Sequence, residues 1–320
     1  LNFKNDLRYQ IDFPITVIET FNIFKYFKIF IQINALIKKN PKAIFYLHTP
    51  VASHLFRLFT YFSKIKIIYF VHGFRFISKK NFLKSFIFKI IEKILSYKTD
   101  IFFTINNEDF DYVNNNLKKK SKCYKINGVG LNLPLNNFKK KLINKNEIKK
   151  ILVIAAYKKE KGYLEILKVA EALKNKKIKI LCYGYGNFEK FDLIKNKKKL
   201  KNISFNKFDI NLESKIKNYD ILLHLSKREG LPVSVMQSLS KGLPVICYNI
   251  RGNNDLITDR FNGYFVNSYK DVPNKINYLN LEKDQFNVMR KNALKSIDRN
   301  FLKKKINSNI YKIIKKYSKN

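Results

Sequence analysis

The sequence predicts an α/β fold of two similar halves, each built on a doubly wound parallel sheet, and three observations carry that prediction. Short strand-like runs alternate with helical stretches over 320 residues, the order that gives parallel sheets joined by right-handed crossovers. The strand candidates are continuous apolar runs rather than alternating ones, as expected when both faces of a sheet are covered. A polar, Lys/Asn-rich stretch at 136–149, NNFKKKLINKNEIK, then interrupts the pattern, which restarts with a strong strand. The length suits two domains of ordinary size. The boundary is placed in the polar stretch: an N-terminal domain over 1–140, a linker over 141–149, a second domain over 150–300 and a basic C-terminal helix over 301–320.

In chain order, the first half offers strands at 43–47 (AIFYL), 66–71 (KIIYFV), 101–105 (IFFTI) and 123–127. The second offers 150–156 (KILVIAA), 178–183 (IKILCY), 202–206, 220–225 (DILLHL) and 244–248 (PVICY). Helices fill the gaps. Over 79–98, Phe82, Phe86, Ile87, Ile90, Ile91 and Ile94 share one stripe, with Lys84, Ser85, Lys89, Glu92, Lys93 and Ser96 away from it. That stripe is expected to face the core; a membrane-facing foot is the alternative. Residues 283–318 read as helix. An Asp-led apolar strand occurs in each half, DIFFTI from 100 and DILLHL from 220. Two such halves facing each other form a cleft at the carboxyl ends of their strands, where sheets of this kind bind ligands. A doubly wound domain should open with a strand and a glycine-rich turn, yet the first clear strand comes only near residue 43. The N-terminal domain is therefore expected to be incomplete, with its first strand upstream.

Composition narrows the function classes. The three cysteines, Cys123, Cys182 and Cys247, fit neither a disulfide framework nor a metal site, and each lies in or beside an apolar run. No signal peptide is evident, and Lys25 and Lys28 break the long apolar stretch at 21–37, so no segment reads as a membrane span. The formal charge is +40, but only eight of the 64 basic residues are Arg. Arg is the residue that reads guanine bidentately and stacks on bases, so the reading is no nucleic acid. A charge this large instead favours anionic surfaces, at about 1 kcal/mol per Lys near an acidic bilayer. The expected location is cytoplasmic, with peripheral attachment to an anionic membrane surface.

The chemistry concentrates in SKREGLPVSVMQSLSKGLPVI (226–246), which follows the strand at 220–225. Gly230 permits a tight turn, and Pro232 suits the first turn of a helix. Helix N-termini expose N–H groups ready for phosphate. Glu229 precedes the turn at the cleft edge, and its carboxylate can accept two hydroxyl hydrogen bonds. Gln237 lies about one and a half turns into the helix. From spacing alone, an ordinary βα loop with a solvent-facing Glu explains the stretch equally well. DFD (109–111) imitates an Asp-x-Asp metal motif but sits at a helix start, where Asp caps. GYG (184–186) is a lone Gly-x-Gly turn at a strand end.

REGLPVSVMQSLSKGLPVICYNIRGNNDLITDRFNGYFV (228–266) resembles the group-1 retaining glycosyltransferases of the GT-B fold, in the branch found in capsular and exopolysaccharide clusters. Collinear with it are HTPVASHLFRLF (48–59), VHGFRF (71–76), TDIFFTINNEDFDYV (99–113), NGVGLNL (127–133), AAYKKEKGYLEILKVAEAL (155–173) and YGYGNFEKF (183–191). The resemblance implies two facing Rossmann-like domains and transfer of a sugar, with retention, from a nucleotide sugar, UDP-linked, to a lipid-linked saccharide acceptor in surface polysaccharide biosynthesis. It implies no cofactor and no metal.

Residue by residue, the resemblance gives Glu229 and His72 the catalytic positions. Glu229 holds hydroxyls of the transferred sugar. The backbone of Gly230, Leu231, Pro232 and Val233 faces the sugar and diphosphate, Lys161 clamps the diphosphate, and Gly184 lies at the turn near the nucleobase. His48 lines the acceptor side. The family's pattern is Glu, seven residues, Glu; here the second position is Gln237, which implies a neutral partner for the ribose hydroxyls. Five residues before Lys161, where the family often has Arg or Glu, stands Ala156, which implies one diphosphate contact fewer. His54 and His224 are expected to be structural. Two rivals stay open: a degenerate, non-catalytic relative that only binds, and a nucleotide-sugar epimerase or hydrolase on the same fold.

Overall fold

A computed structural model describes residues 23–74, 82–117, 121–133 and 145–318. Two all-parallel sheets dominate. The first has four strands in the order β1-β2-β3-β4: Ile44–His48, Lys66–Val71, Ile101–Thr104 and Lys122–Lys125. The second has six in the order β10-β9-β8-β5-β6-β7. These are β5 Lys150–Ile154, β6 Lys179–Gly184, β7 Ile203–Lys207, β8 Ile221–His224, β9 Val245–Tyr248 and β10 Gly263–Val266. The neighbouring pair β5 and β8, far apart in sequence, marks where the strand order reverses, the switch point at which open α/β sheets bind ligands. Nine strands fall within two residues of the expected runs. β10 was not expected. GYFV is short and lies past the loop motif, and it is strand because Gly263–Val266 pair with Val245–Tyr248.

The continuous apolar strands are buried as their composition demands. Ile67, Ile68, Tyr69, Phe70 and Val71 of β2 are all buried, as are all four residues of β3 and of β8. In the second half, β5 and β6 pack against α5 (Tyr163–Ala172), whose Tyr163, Ile166, Val169 and Ala170 are fully buried. The expected helix over 283–318 is broken into α10 (Lys283–Lys295), a 3-10 turn at Arg299–Phe301 and α11 (Lys303–Ser318). The break comes at Asp298, whose side chain accepts the N–H of Asn300 and starts a new turn. α11 then packs on the first half: the Leu131 N–H donates to the Phe301 carbonyl and the Lys303 N–H to the Leu131 carbonyl, and Ile306 and Ile310 join a cluster with Ile68, Phe70 and Phe103.

Four residues of the stripe predicted to face the core, Phe86, Ile87, Ile90 and Ile94, do the opposite; Ile91 is half-buried, and 79–81 lie outside the described residues. On α3 (Phe82–Ser96), Leu83, Phe86, Ile87, Ile90 and Ile94 are exposed, while Glu92, Leu95 and Ser96 are buried. The cause is an ion network that the helix period could not show. α2 (Pro50–Phe59) carries Arg57, which is completely buried. Its guanidinium donates to Glu92 Oε2 at 3.0 Å and to the Thr99 hydroxyl at 3.3 Å, and lies 4.4 Å from the centre of the Tyr69 ring. His54 Nε2 meets Glu92 Oε1 at 2.7 Å. Burial raises the Glu92 pKa, but Arg57 and His54 outweigh it and hold the carboxyl below its ordinary value. A carboxylate of this kind cannot return to the surface cheaply once its partner is fixed inside, so the edge of α3 that carries Glu92, Leu95 and Ser96 turns inward while Lys89 and Lys93 stay exposed.

Candidate active site

The residues singled out from sequence lie at the carboxyl ends of strands. His48 is the last residue of β1, His72 follows β2, Gly184 ends β6, His224 ends β8 and Glu229 lies in the loop after it. Lys161 is brought to the same place by a 3-10 turn, Lys159–Lys161, and by the residue after it. Gly162 is left-handed, with φ of 80°, and a Cβ there would stand 2.1 Å from the Leu225 carbonyl oxygen. Only glycine lets this turn press against the end of β8. The Lys227 N–H donates to the Glu160 carbonyl at 2.9 Å, tying the two loops together.

Lys161 Nζ meets Glu229 Oε1 at 2.6 Å, and His224 Nε2 lies 3.2 Å from the same oxygen. His224, expected to be structural, thus belongs to the site. It is buried at the strand end, in ion-pair range of the carboxylate, but off the line of a formal hydrogen bond. Burial pushes the Glu229 carboxyl up, while His224 and Lys161 together pull it further down, to about 2. Glu229 is therefore an anion throughout the neutral range: it accepts hydrogen bonds and holds no proton to give.

Across from it, His48 Nδ1 and His72 Nε2 are 3.0 Å apart, and both rings pack on Phe70, His48 stacked at 5.1 Å and His72 tilted at 4.5 Å between centres. Partial burial, and then the neighbouring His48, lower His72 to about 4; partial burial lowers His48 as well. Both rings are neutral at pH 7, so one nitrogen donates and the other accepts, according to the tautomer. The two sides of the cleft touch. A Cβ on Gly230 would stand 2.1 Å from the His72 carbonyl oxygen.

α8 runs from Val233 to Leu239, with Pro232 at the cap position and no side chain capping it. Leu231 and Pro232 are buried beneath the loop, and the Leu231 side chain lies over Gly128 of the first half. Gln237 Nε2 donates to Glu213 Oε2 at 3.4 Å. Glu213 sits on α7 (Leu212–Lys215). An acid thus stands beside the position where the sequence lacks one, although nothing in the spacing from Glu229 pointed to it. Gly184 packs so closely on β5 that a Cβ would lie 1.9 Å from the Ala155 carbonyl oxygen. Beyond it, the Tyr185 and Phe208 rings stack at 4.1 Å and 16°, both largely exposed.

Asp109 does not start its helix as a cap. Asn106 caps α4 (Asn107–Asn116), and the fully buried Asp109 takes the Arg251 guanidinium at 3.0 Å. Among the described residues, no three His, Cys, Asp or Glu side chains gather as a metal site, and no helix is long and apolar enough to cross a membrane.

Residues 136–296 match the family described as "Glycosyl transferases group 1", and residues 6–106 match "Glycosyl transferase 4-like". The chain belongs to the group 1 glycosyltransferases. Among its relatives is the "UDP-Gal:alpha-D-GlcNAc-diphosphoundecaprenol alpha-1,3-galactosyltransferase" of Escherichia coli. It is 25% identical over 311 residues, covering 89% of this chain and 78% of that one. A protein in the cps region of Klebsiella pneumoniae is 26% identical over 311 residues, covering 92% and 85%. Of solved structures, HepE of Anabaena in complex with UDP superposes with a TM-score of 0.71 at 13% identity, over 89% of this chain and 82% of that one. The fold of this glycosyltransferase is accordingly GT-B, with two Rossmann-like sheets facing each other across the cleft.

Proposed function

We propose that this group 1 glycosyltransferase moves a hexosyl group, with retention, from a UDP-sugar to a lipid-linked saccharide in surface polysaccharide biosynthesis. The observation that carries the reading is the Glu229 carboxylate, held ionised by Lys161 and His224 and lying in a loop that touches the His72 loop. Glu229 accepts hydrogen bonds from hydroxyls of the transferred sugar and stabilises positive charge developing at its anomeric carbon. Lys161 turns to the diphosphate and offsets the charge of the leaving group, and the backbone from Gly230 to Val233 faces the same group. His72 and His48 line the acceptor side as neutral hydrogen-bonding rings. Gln237 serves the ribose hydroxyls, and Gly184 lies at the nucleobase turn. The leaving phosphate takes the acceptor's proton on the face it departs from, so no protein nucleophile is required. Residues 150–300 carry the donor and the first half carries the acceptor.

Names of relatives support the donor and acceptor classes: HepE binds UDP, and the Escherichia coli relative acts on a diphosphoundecaprenol-linked sugar. The exposed apolar face of α3, with Lys89 and Lys93 on the same helix, supports attachment to an anionic membrane at the cytoplasmic face. The test is calorimetric titration with UDP, GDP and ADP, followed by transfer assays on an undecaprenol-linked sugar with the product anomer read by NMR. UDP binding and an anomer matching the donor are expected. Well-folded protein that binds no nucleotide would leave the degenerate, non-catalytic relative that binds only a partner as the better account.

A further inference from the structure

Arg251, which the sequence reading did not single out, reaches across the cleft. It is 9% exposed and sits in the loop after β9. Its Nε donates to the Glu229 carbonyl at 3.1 Å, and its Nη1 to the Phe74 carbonyl and to Asp109 Oδ1, each at 3.0 Å. Asp109 also accepts the Phe74 N–H at 3.3 Å and, through Oδ2, the Asn106 amide at 2.7 Å. That same Asn106 amide donates to the Gly230 carbonyl at 3.1 Å. Gly252, beside Arg251, has no Cβ to collide with the Gly230 carbonyl, which would be 2.2 Å from one.

Two consecutive carbonyls of the site loop, Glu229 and Gly230, are therefore each held by a buried donor. One donor comes from each sheet's loops, and Asp109 joins the two. A trans peptide points its N–H opposite to its C=O. Holding both carbonyls on the Arg251–Asn106 side turns the N–H groups of Gly230 and Leu231 to the other side. Neither N–H has an acceptor among the described residues.

We propose that Arg251, Asp109 and Asn106 form a latch between the two halves that aims the Gly230 and Leu231 N–H groups at the donor's diphosphate, with Arg251 as its central positioning residue. This rests on the nucleotide-sugar reading above. The latch also requires the halves to be closed, because Arg251 can reach Phe74 and Asp109 only when the His72–Phe74 loop lies on the Glu229–Gly230 loop. Diphosphate recognition and closure are then one event.

The test compares wild type, Arg251→Met, Asp109→Asn and the Arg251→Met/Asp109→Asn double variant, measuring Tm and the dissociation constants of UDP and of uridine. The single variants leave one buried charge or donor unmatched and lose Tm for that reason alone. The double variant removes both charges, keeps the net charge and isolates aiming from stability. The expected result is a double variant with Tm restored, UDP binding weakened tenfold or more and uridine binding unchanged. A double variant that binds UDP within threefold of wild type, or that loses uridine and UDP binding equally, overturns the latch while leaving the donor reading intact. A wild type that binds no UDP overturns both.

Discussion

Gly230→Ala tests whether the contact between the two halves is part of the chemistry. Gly230 has an ordinary backbone conformation, so the substitution carries no φ penalty and its effect is purely steric. The added Cβ would sit 2.1 Å from the His72 carbonyl oxygen and 3.1 Å from Ile105 Cδ1, whereas real Cβ atoms stay beyond 3.0 Å. The Ile105 methyl can yield. The His72 carbonyl is backbone at the end of β2, so the Glu229 and His72 loops must part by about 1 Å, a displacement that costs about 10²-fold in rate when it falls between reacting groups. The strain itself amounts to about 1–3 kcal/mol, which moves Tm of a protein this size by only a few degrees. The assay is steady-state UDP release from the donor the wild type uses, with Tm measured in parallel. The expected outcome is kcat down about 10²-fold in a protein that still folds. A variant with kcat within threefold of wild type would refute the claim that the Gly230–His72 approach sets the reacting geometry.

Four further outcomes are expected. Glu229 is held at about 2 against an ordinary 4.5, so its ionised form stabilises the fold fully above pH 4.5, and that contribution fades as pH falls toward 2. Lys161→Met should raise this pKa by about 1–3 units and make Tm fall less steeply than in wild type as pH drops from about 4.5 toward 2; parallel melting curves would contradict it. Gln237→Glu puts a second carboxylate beside Glu213, so it should weaken UDP binding by calorimetry, and Glu213→Gln in the same chain should restore it; tighter binding by the single variant would show that Glu213 does not face that site. Glu92→Ala leaves Arg57 buried and unpaired and should cost about 3–5 kcal/mol in urea denaturation, with Arg57→Met/Glu92→Leu costing less than that single variant. Ile87→Glu/Ile90→Glu should abolish sedimentation with phosphatidylglycerol vesicles while leaving UDP affinity untouched; retained sedimentation would remove α3 from the membrane contact.

The strands were legible because burial on both faces writes itself as unbroken apolar runs, and KIIYFV or DILLHL admit few other readings. The Glu229 loop was legible because a tight turn, a helix-starting proline and an acid are local features with fixed spacing. What escaped the sequence at the candidate site is non-local. His224 reads as a core histidine until Gly162 lets the Lys161 turn press on the end of β8, which puts both side chains against one carboxylate oxygen. Glu213 and Gln237 are 24 residues apart on different helices, so the eight-residue spacing from Glu229 could report only that an acid was absent. Arg251 and Asp109 lie 142 residues apart and meet only because the halves close.

The orientation of α3 is the most instructive failure, because the period was read correctly and the conclusion from it was reversed. A helical stripe says which residues share a face; it says nothing about which face goes inside. Burying Arg57 completely commits the neighbouring helix to supply a carboxylate, and Glu92 is the one that reaches it. The hydrophobic gain available from turning Ile87, Ile90 and Ile94 inward, about 1.5–3 kcal/mol each, is then set against an unpaired buried guanidinium and loses its geometric option. A fold that forgoes that burial presents the apolar stripe outward, between lysines on a chain of net charge +40, and under the proposed membrane attachment this is the surface that would meet an anionic bilayer. The vesicle experiment on Ile87 and Ile90 therefore bears on the reason for the buried ion network as much as on where the enzyme works.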